Sequence, residues 1–321
     1  MGKEVSIIGA GAFGTALAIA IKHAGYGVLL YGRDPASISE MHRSRTTKSI
    51  PGCHIDEDIA VTSNVSDTFS SPIIVLAVPS QELRGILQKI SNSGACPHIV
   101  ISSKGIEKQT YMLMSEVSKD VMPKSDVTII GGPTFASELA RREISIIGCS
   151  NPAISKYFQS DFLNVIEIED EIALQVAGAF KNSLAILCGA YSGSKNASGL
   201  VFAAGMTDMK KFGVMIGARY NSFDHPAIIG DCFMTCSSRE SRNFRYGISL
   251  SGLLACEQQS HTIEGRVTAQ AILERARKVD NNASLPTIQG LCRMMTGSSS
   301  SYEVLELILR ARSSADRAQD S

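Results

Sequence analysis

The chain has 321 residues, 44% of them apolar, enough for two ordinary cores at roughly 100–200 residues per domain. Its 31 basic and 31 acidic side chains cancel, which excludes a global field drawing it to nucleic acid or to an anionic membrane and leaves any anionic ligand to a local site. No uninterrupted apolar run approaches the roughly 20 residues that span a bilayer. The eight cysteines lack paired C-x-x-C spacing, so they predict reduced thiols and no metal site. The run Val5–Ile8 begins too early to leave room for a secretion signal, and a cytoplasmic protein is expected.

Up to about residue 168, short β-branched runs alternate with helical stretches: Val5–Ile8, Val28–Tyr31, Ile73–Val78, Ile99–Ser102, Val127–Ile130 and Ile144–Ile147. That alternation predicts an α/β domain, a Rossmann-type doubly wound parallel sheet wrapped by helices. Ile73–Val78 and Ile99–Ile101 are continuously apolar, as strands covered on both faces are, and predict central strands. After about Glu169 the texture becomes Ala-, Leu- and Gly-rich with apolar residues at helical spacing, beginning with Glu171 to Tyr191. Later helices are predicted at Leu200–Gly217, Gly230–Cys236, Val267–Lys278 and Ser301–Arg312, with turns at Asn281-Asn282 and Leu285-Pro286. Residues 1–168 therefore read as one domain and residues 169–321 as an all-helical second, whose polar tail from Ser313 to Ser321 is expected to fray.

The first strand leads into Gly9-Ala10-Gly11-Ala12-Phe13-Gly14 and then into the helical run Thr15–Ile21. This is G-x-G-x-x-G in the strand, loop and helix context that gives it meaning. Gly9 allows the tight turn, Gly11 lets the backbone approach a pyrophosphate, and Gly14 lets helix and strand pack closely. The helix N-terminus adds free N–H groups and a positive dipole end. A nicotinamide dinucleotide is the expected ligand, with Ala12 and Phe13 among its contacts. Where NAD-selective domains carry an acidic residue for the ribose hydroxyls, the chain has Tyr31-Gly32-Arg33-Asp34. Gly32 cannot repel a 2′-phosphate and Arg33 can pair with one, which tilts the expectation toward NADP(H); Asp34 keeps NAD(H) open.

Four later stretches carry polar groups that packing alone does not explain: Ser103–Ile106, Gly131–Glu138, Ala179–Asn182, and Gly230 to Asn243. Lys181 sits among apolar neighbours, where desolvation lowers an ammonium's pKa toward values useful for proton transfer. When hydride reaches a carbonyl carbon the oxygen gains negative charge, and an ammonium beside it both stabilises and protonates that oxygen. Asp231 and Thr235 lie four apart, on one helix face, and can line one wall of a site. Ser241-Arg242-Asn243 lies in a basic segment with Arg239 and Arg245, and the planar fork of an arginine suits phosphate. Lys104 follows a strand at the sheet end where open α/β sheets bind ligands.

Taken in order from about residue 5 to residue 268 and closed by Ile263-Glu264-Gly265, these motifs resemble the NAD(P)-dependent glycerol-3-phosphate dehydrogenases. The resemblance implies a Rossmann-type domain followed by a helical one, and reversible reduction of dihydroxyacetone phosphate to sn-glycerol 3-phosphate by NAD(P)H, feeding glycerophospholipid synthesis without a metal. It implies Lys181 as general acid–base with Asp231 beside it, an anion whose pull toward the protonated lysine opposes that of burial toward the neutral amine, and the sequence leaves the balance of the two open. It places Lys104, Gly132, Thr134, Lys181, Asn182, Asp231, Thr235, Ser241, Arg242 and Asn243 on the substrate, Arg242 and Asn243 on its phosphate. It adds Lys104, Ala136, Arg242 and Glu264 to the glycine loop and Arg33 as cofactor contacts. The expected partner is a small phosphate ester, with no nucleic acid and no stable membrane insertion. Helical second domains of this sort often pair, which leaves a homodimer open.

The chain departs from the family in a shorter stretch between Ala136 and Lys181 and in Ala204, where an arginine is expected. Two other readings stand beside it. A sister hydroxyacid dehydrogenase of the same two-domain type would act on a carboxylate. A non-catalytic NAD(P) sensor would lose nothing but binding on Lys181→Ala.

Overall fold

The computed structural model describes residues 4–250 and 263–319, with side chains as far as residue 311. Two units emerge: residues 1–104 with 112–174, and residues 105–111 with 175–321.

In the first unit, Val5–Ile8 (β1) leads through the glycine loop into Ala12–His23 (α1), and Val28–Tyr31 (β2) into Pro35–Ser44 (α2). A hairpin of Thr46–Thr47 (β3) and Ile50–His54 (β4) follows, then Ala60–Thr62 (β5), Ile73–Leu76 (β6), Leu83–Asn92 (α3) and His98–Ile101 (β7). Met114–Val121 (α4), Val127–Gly131 (β8), Ala136–Ala140 (α5), Ser145–Cys149 (β9), Pro152–Ser155 (α6) and Leu163–Glu167 (β10) complete it. The main sheet has the order β10-β9-β8-β7-β6-β1-β2-β5. β1 lies parallel to both neighbours, Ile7 in register with Leu30 of β2 and Val75 of β6. The chain winds outward from β1 to β2 and β5, then returns past β1 to β6. That reversal leaves a crevice beyond the strand ends, where open α/β sheets bind ligands. Every residue of β1 and β6 is buried; β6 is an unbroken apolar run rather than an alternating one, and β1 is interrupted only by Ser6, whose hydroxyl is hydrogen-bonded to that of Ser71 at 2.7 Å.

The structure corrects several expectations. β6 ends at Leu76, which leaves Ala77 and Val78 to line the crevice. β9 starts at Ser145, and the preceding Ile144 is 83% exposed. β8 and β9 are antiparallel, Ile130 opposite Cys149, so the sheet is not wholly parallel.

The second unit is helical. Its elements are Glu171–Ala190 (α7), in which the boundary falls, Lys195–Met215 (α8), Pro226–Ser237 (α9), Arg242–Leu250 (α10), Glu264–Val279 (α11), Pro286–Met295 (α12) and Ser301–Gln319 (α13). Among the described residues α7 is the one helix long and apolar enough to cross a membrane, and 94% of that stretch is buried inside the protein. Its burial rests on glycines at the crossings. A Cβ on Gly189 would strike the Phe244 carbonyl, one on Gly247 the Ile186 carbonyl, and one on Gly265 the Asn182 carbonyl. α7, α10 and α11 thus meet backbone to backbone, an approach only glycine permits.

Residues 105–111 belong with these helices. Ile106 and Glu107 are buried. Arg275 Nη1 donates to the Tyr111 carbonyl and Lys278 Nζ to the Thr110 carbonyl, each at 3.4 Å, with the ammonium 4.6 Å from the Tyr111 ring centre. The expected turn at Leu285-Pro286 instead starts α12, where Pro286 loses no helical hydrogen bond. The predicted helix at Gly230 begins earlier, at Pro226, with His225 Nδ1 accepting from the Ala227 N–H at 3.2 Å. The tail expected to fray from Ser313 continues α13 to Gln319.

Candidate active site

β1 ends at Ile8 and the chain turns at Gly9, φ +124°, a conformation glycine holds without strain. A Cβ there would strike the Ala77 carbonyl, and one on Gly14 the Gly9 carbonyl. The protein's own packing therefore demands both glycines. Gly11 differs: its φ of −77° suits any residue, and a Cβ on it would meet nothing within 4 Å. It stands at the N-cap of α1, which has no side-chain cap. The space it leaves fronts a helix N-terminus whose N–H groups and dipole favour an anion. Ala12 and Phe13 form the first turn of that helix. These residues fit the pyrophosphate of a dinucleotide.

From this loop a cleft of about 810 Å³ passes Tyr31, Gly32 and Arg33 on one side and Ala77, Val78 and Glu82 on the other. A Cβ on Gly32 would lie 2.5 Å from Ile38 Cδ1 and 2.9 Å from Ala10 Cβ, so no acidic side chain fits at that point. Arg33 Nη1 donates to Glu82 Oε1 at 3.0 Å. Asp34 caps α2, accepting from the Ala36 and Ser37 N–H groups, both at 3.2 Å, and from the Ser37 hydroxyl. The bonds from Ser37 first, then that from Ala36, hold its carboxyl below the usual carboxylate range.

Lys104, just after β7, stands with its ammonium 5.9 Å from the Phe13 ring centre. Its Cε lies 4.0 Å from where a Cβ on Gly131 would be. Lys104 thus joins the glycine loop to the loop after β8. In that loop Thr134 is buried, its N–H donating to the Gly132 carbonyl at 2.9 Å and its hydroxyl to the Ile146 carbonyl at 2.6 Å. These bonds fix the backbone around Gly132. Ala136 opens α5 and packs against the core of the first unit.

In the helical unit, Lys181 lies midway along α7 and Asp231 on α9, 5% and 3% exposed. Lys181 Nζ donates directly to Asp231 Oδ1 in a buried ion pair. Either charge alone would be costly there, and together they offset one another. Thr235, one turn along α9 from Asp231, is also buried. Cys236 donates its thiol to the Lys181 carbonyl at 3.8 Å. Burial, then the neighbouring Cys188 thiol, push Cys236 well above the usual thiol range, so it stays neutral beside the lysine.

Next to this pair, Asn243 Nδ2 donates to Asn182 Oδ1 at 3.0 Å, and Asn243 Oδ1 accepts from the Gly265 N–H at 3.2 Å. One amide thereby ties α7 to the start of α11. Ser241 is buried and its hydroxyl oxygen accepts from the Phe244 N–H at 3.3 Å, capping α10. Arg242, the first residue of α10, is exposed, and Glu264 opens α11. The structure thus brings Lys181 to Asp231 and Asn182 to Asn243, and it gives Ser241 and Asn243 bonds that hold the fold.

Two family models match the chain in series: the NAD-dependent glycerol-3-phosphate dehydrogenase N-terminus over residues 4–154 and the C-terminus over residues 170–306. The chain belongs to this family. A glycerol-3-phosphate dehydrogenase (NAD(P)+) of Roseobacter denitrificans is 34% identical over 285 residues, 86% of this chain and 88% of the relative. That of a Wolbachia strain from Drosophila simulans is 30% identical over 328 residues, 95% and 99% of the two chains. The solved glycerol-3-phosphate dehydrogenase of Coxiella burnetii superposes with a TM-score of 0.87 at 22% identity, covering 95% of this chain and 98% of its own, which establishes the shared fold. Membership makes the chain an oxidoreductase that depends on NAD(P). Among its described residues no group of three His, Cys, Asp or Glu side chains is placed to hold a metal ion.

Within the glycerol-3-phosphate dehydrogenase fold, Ala204 lies on α8 at 3% exposure, so a small buried side chain takes the place of the expected arginine. Sequence reasoning missed Glu82 and the three crossing glycines. The glycines had a signal: isolated glycines within helical patterns usually mark close packing. Glu82 had none, since its partner is 49 residues away.

Proposed function

We propose that this glycerol-3-phosphate dehydrogenase reduces dihydroxyacetone phosphate to sn-glycerol 3-phosphate with NAD(P)H, reversibly, with Lys181 handling the proton. The observation that carries the reading is the buried Lys181–Asp231 pair in a chain of this family. Gly9, Gly11, Ala12, Phe13, Gly14, Arg33, Lys104, Ala136, Arg242 and Glu264 would hold the dinucleotide, whose nicotinamide supplies or accepts the hydride when bound.

An ammonium has three N–H donors. Lys181 donates to Asp231, and its ammonium is the group that would meet a carbonyl oxygen on which negative charge develops. The ammonium stabilises that charge and then gives up its proton; in the reverse direction the neutral amine takes it back. Asp231 orients the lysine and favours its charged form where burial favours the neutral one. Asn182, Thr235, Ser241 and Asn243, with Lys104, Gly132 and Thr134, position the substrate. The exposed Arg242 guanidinium takes its phosphate, being charged at every working pH and forked to match the oxygens.

Residues 1–168 act as the dinucleotide domain and residues 169–321 as the substrate domain. The enzyme works in the cytoplasm, without stable membrane insertion, and supplies glycerol 3-phosphate for phospholipid synthesis, with pairing through the helical domain left open.

The test is consumption of NADPH and NADH with dihydroxyacetone phosphate by wild type, Lys181→Ala and Arg242→Ala. Turnover is expected to vanish in the lysine variant, and the substrate KM to rise in the arginine variant. Lys181→Ala takes the ion partner from a buried carboxylate, a change that costs about 3–5 kcal/mol. The double variant Lys181→Met with Asp231→Leu therefore serves as the folded control, and it too is expected to be inactive. Folded protein that binds the dinucleotide but turns over a hydroxyacid instead would overturn the substrate assignment.

A further inference from the structure

The cleft beyond the glycine loop is lined by three cations, Arg33, Lys48 and Lys89, and three carboxylates, Asp34, Glu40 and Glu82. Two of the carboxylates are engaged locally. Asp34 caps α2, with Lys48 near enough to act on its charge, and Glu40 accepts from Arg43 at 2.7 and 3.2 Å. Glu82 instead accepts from Arg33, tying the loop after β6 to the loop after β2, the two strands that flank β1. Both side chains are open to solvent, 79% and 43% exposed, so the pair adds little to stability and opens readily.

A phosphate monoester on the adenosine ribose would need the Arg33 fork, and taking it would leave the Glu82 carboxylate beside a second anion. A ribose with free hydroxyls meets no such opposition, because a hydroxyl can donate to Glu82. Burial of the acidic position normally used for that purpose is ruled out here by Gly32, whose Cβ would lie 2.9 Å from Ala10. We infer that Glu82 sets the choice between NADP(H) and NAD(H), holding Arg33 neutralised until a 2′-phosphate displaces it, with Lys48 and Lys89 completing the phosphate's surroundings. The inference rests on the dinucleotide role proposed above, and Glu82 acts in it as a positioning residue, through Arg33.

The experiment measures equilibrium binding of 2′,5′-ADP and 5′-AMP, which report the adenosine end alone, together with NADPH and NADH, to the full chain and to Glu82→Gln, Arg33→Ala and their double variant. Glu82→Gln is expected to raise the affinity ratio of 2′,5′-ADP to 5′-AMP by about threefold, the scale of an exposed ion pair, and the gain should shrink at high salt. Arg33→Ala should lower the ratio, and in the double variant the gain from Glu82→Gln should be lost. Melting temperatures are expected to stay at the wild-type value, which separates this role from a structural one. A ratio that does not respond to Glu82→Gln, or a gain that persists in full without Arg33, overturns the inference while leaving the enzyme's function intact. Wild-type protein that binds no dinucleotide at all overturns both.

Discussion

At Gly11 the protein leaves room for a methyl group that it does not fill. The backbone there is ordinary, φ −77°, and nothing of the chain lies within 4 Å of where a Cβ would be. Gly11→Ala is therefore expected to fold with unchanged stability in urea, while its NADPH affinity falls by about tenfold or more because the methyl occupies the space of the pyrophosphate. Wild-type affinity in that variant would show that the loop holds no pyrophosphate. Gly9 and Gly14 give no such clean separation, since each is required by a carbonyl of the protein itself. The motif positions give the three glycines different expected roles, and their surroundings supply the physical reason for the division. Lys181 and Asp231 were each visible as residues, one for its apolar neighbours and one for its place four before Thr235. Their pairing, across 50 positions, is a property of how α7 meets α9.

Elements were legible in proportion to their burial. β1 and β2 fall where the apolar runs place them, because both are almost wholly buried and their composition answers mainly to the core. β5, three half-buried residues, and β10, where Asn164 and Glu167 interrupt the apolar run, lie at the two edges of the sheet and carry too little pattern to stand out. α10 was hidden by its arginines, although Phe244, Gly247 and Ile248 form a buried face. Tyr191, just past α7, shows what such packing does to ionisation. Its hydroxyl donates to the Ser301 carbonyl at the start of α13, and burial raises its pKa from 10.0 to about 12. The unfolded chain gives up that proton first, so the contribution to stability is complete below pH 10 and is lost as pH rises toward about 12. Denaturant unfolding across that window is expected to show Tyr191→Phe losing stability less steeply than wild type, by up to about 1.4 kcal/mol per pH unit. Identical slopes would place the hydroxyl in contact with water.

For the molecule as a whole, the division into two units does not follow the order of the chain. The segment 105–111 is flanked on both sides by the first unit yet packs with the helices, through Arg275 and Lys278. Nothing in Gly105 to Tyr111 announces this, because the contacts that decide it are more than 160 positions away. A fragment of residues 1–174 keeps every strand and the glycine loop but leaves the buried Ile106 and Glu107 without their partners. Trypsin is expected to cut that fragment first at Lys108, and to cut the intact chain there far more slowly. Equal rates would show that the segment does not depend on the helices.

Synthesis then imposes a delay of its own. Lys278 is made 168 residues after Thr110, which at roughly 5–20 residues per second is about 10–30 s on the ribosome. Through that interval the sheet emerges with an unfinished loop in its middle, offering Ile106 to whatever the nascent chain meets, and the segment can close only once α11 has left the exit tunnel. The stretch of chain that carries the sheet is thus the first to be made, and the segment interrupting it is among the last to be finished.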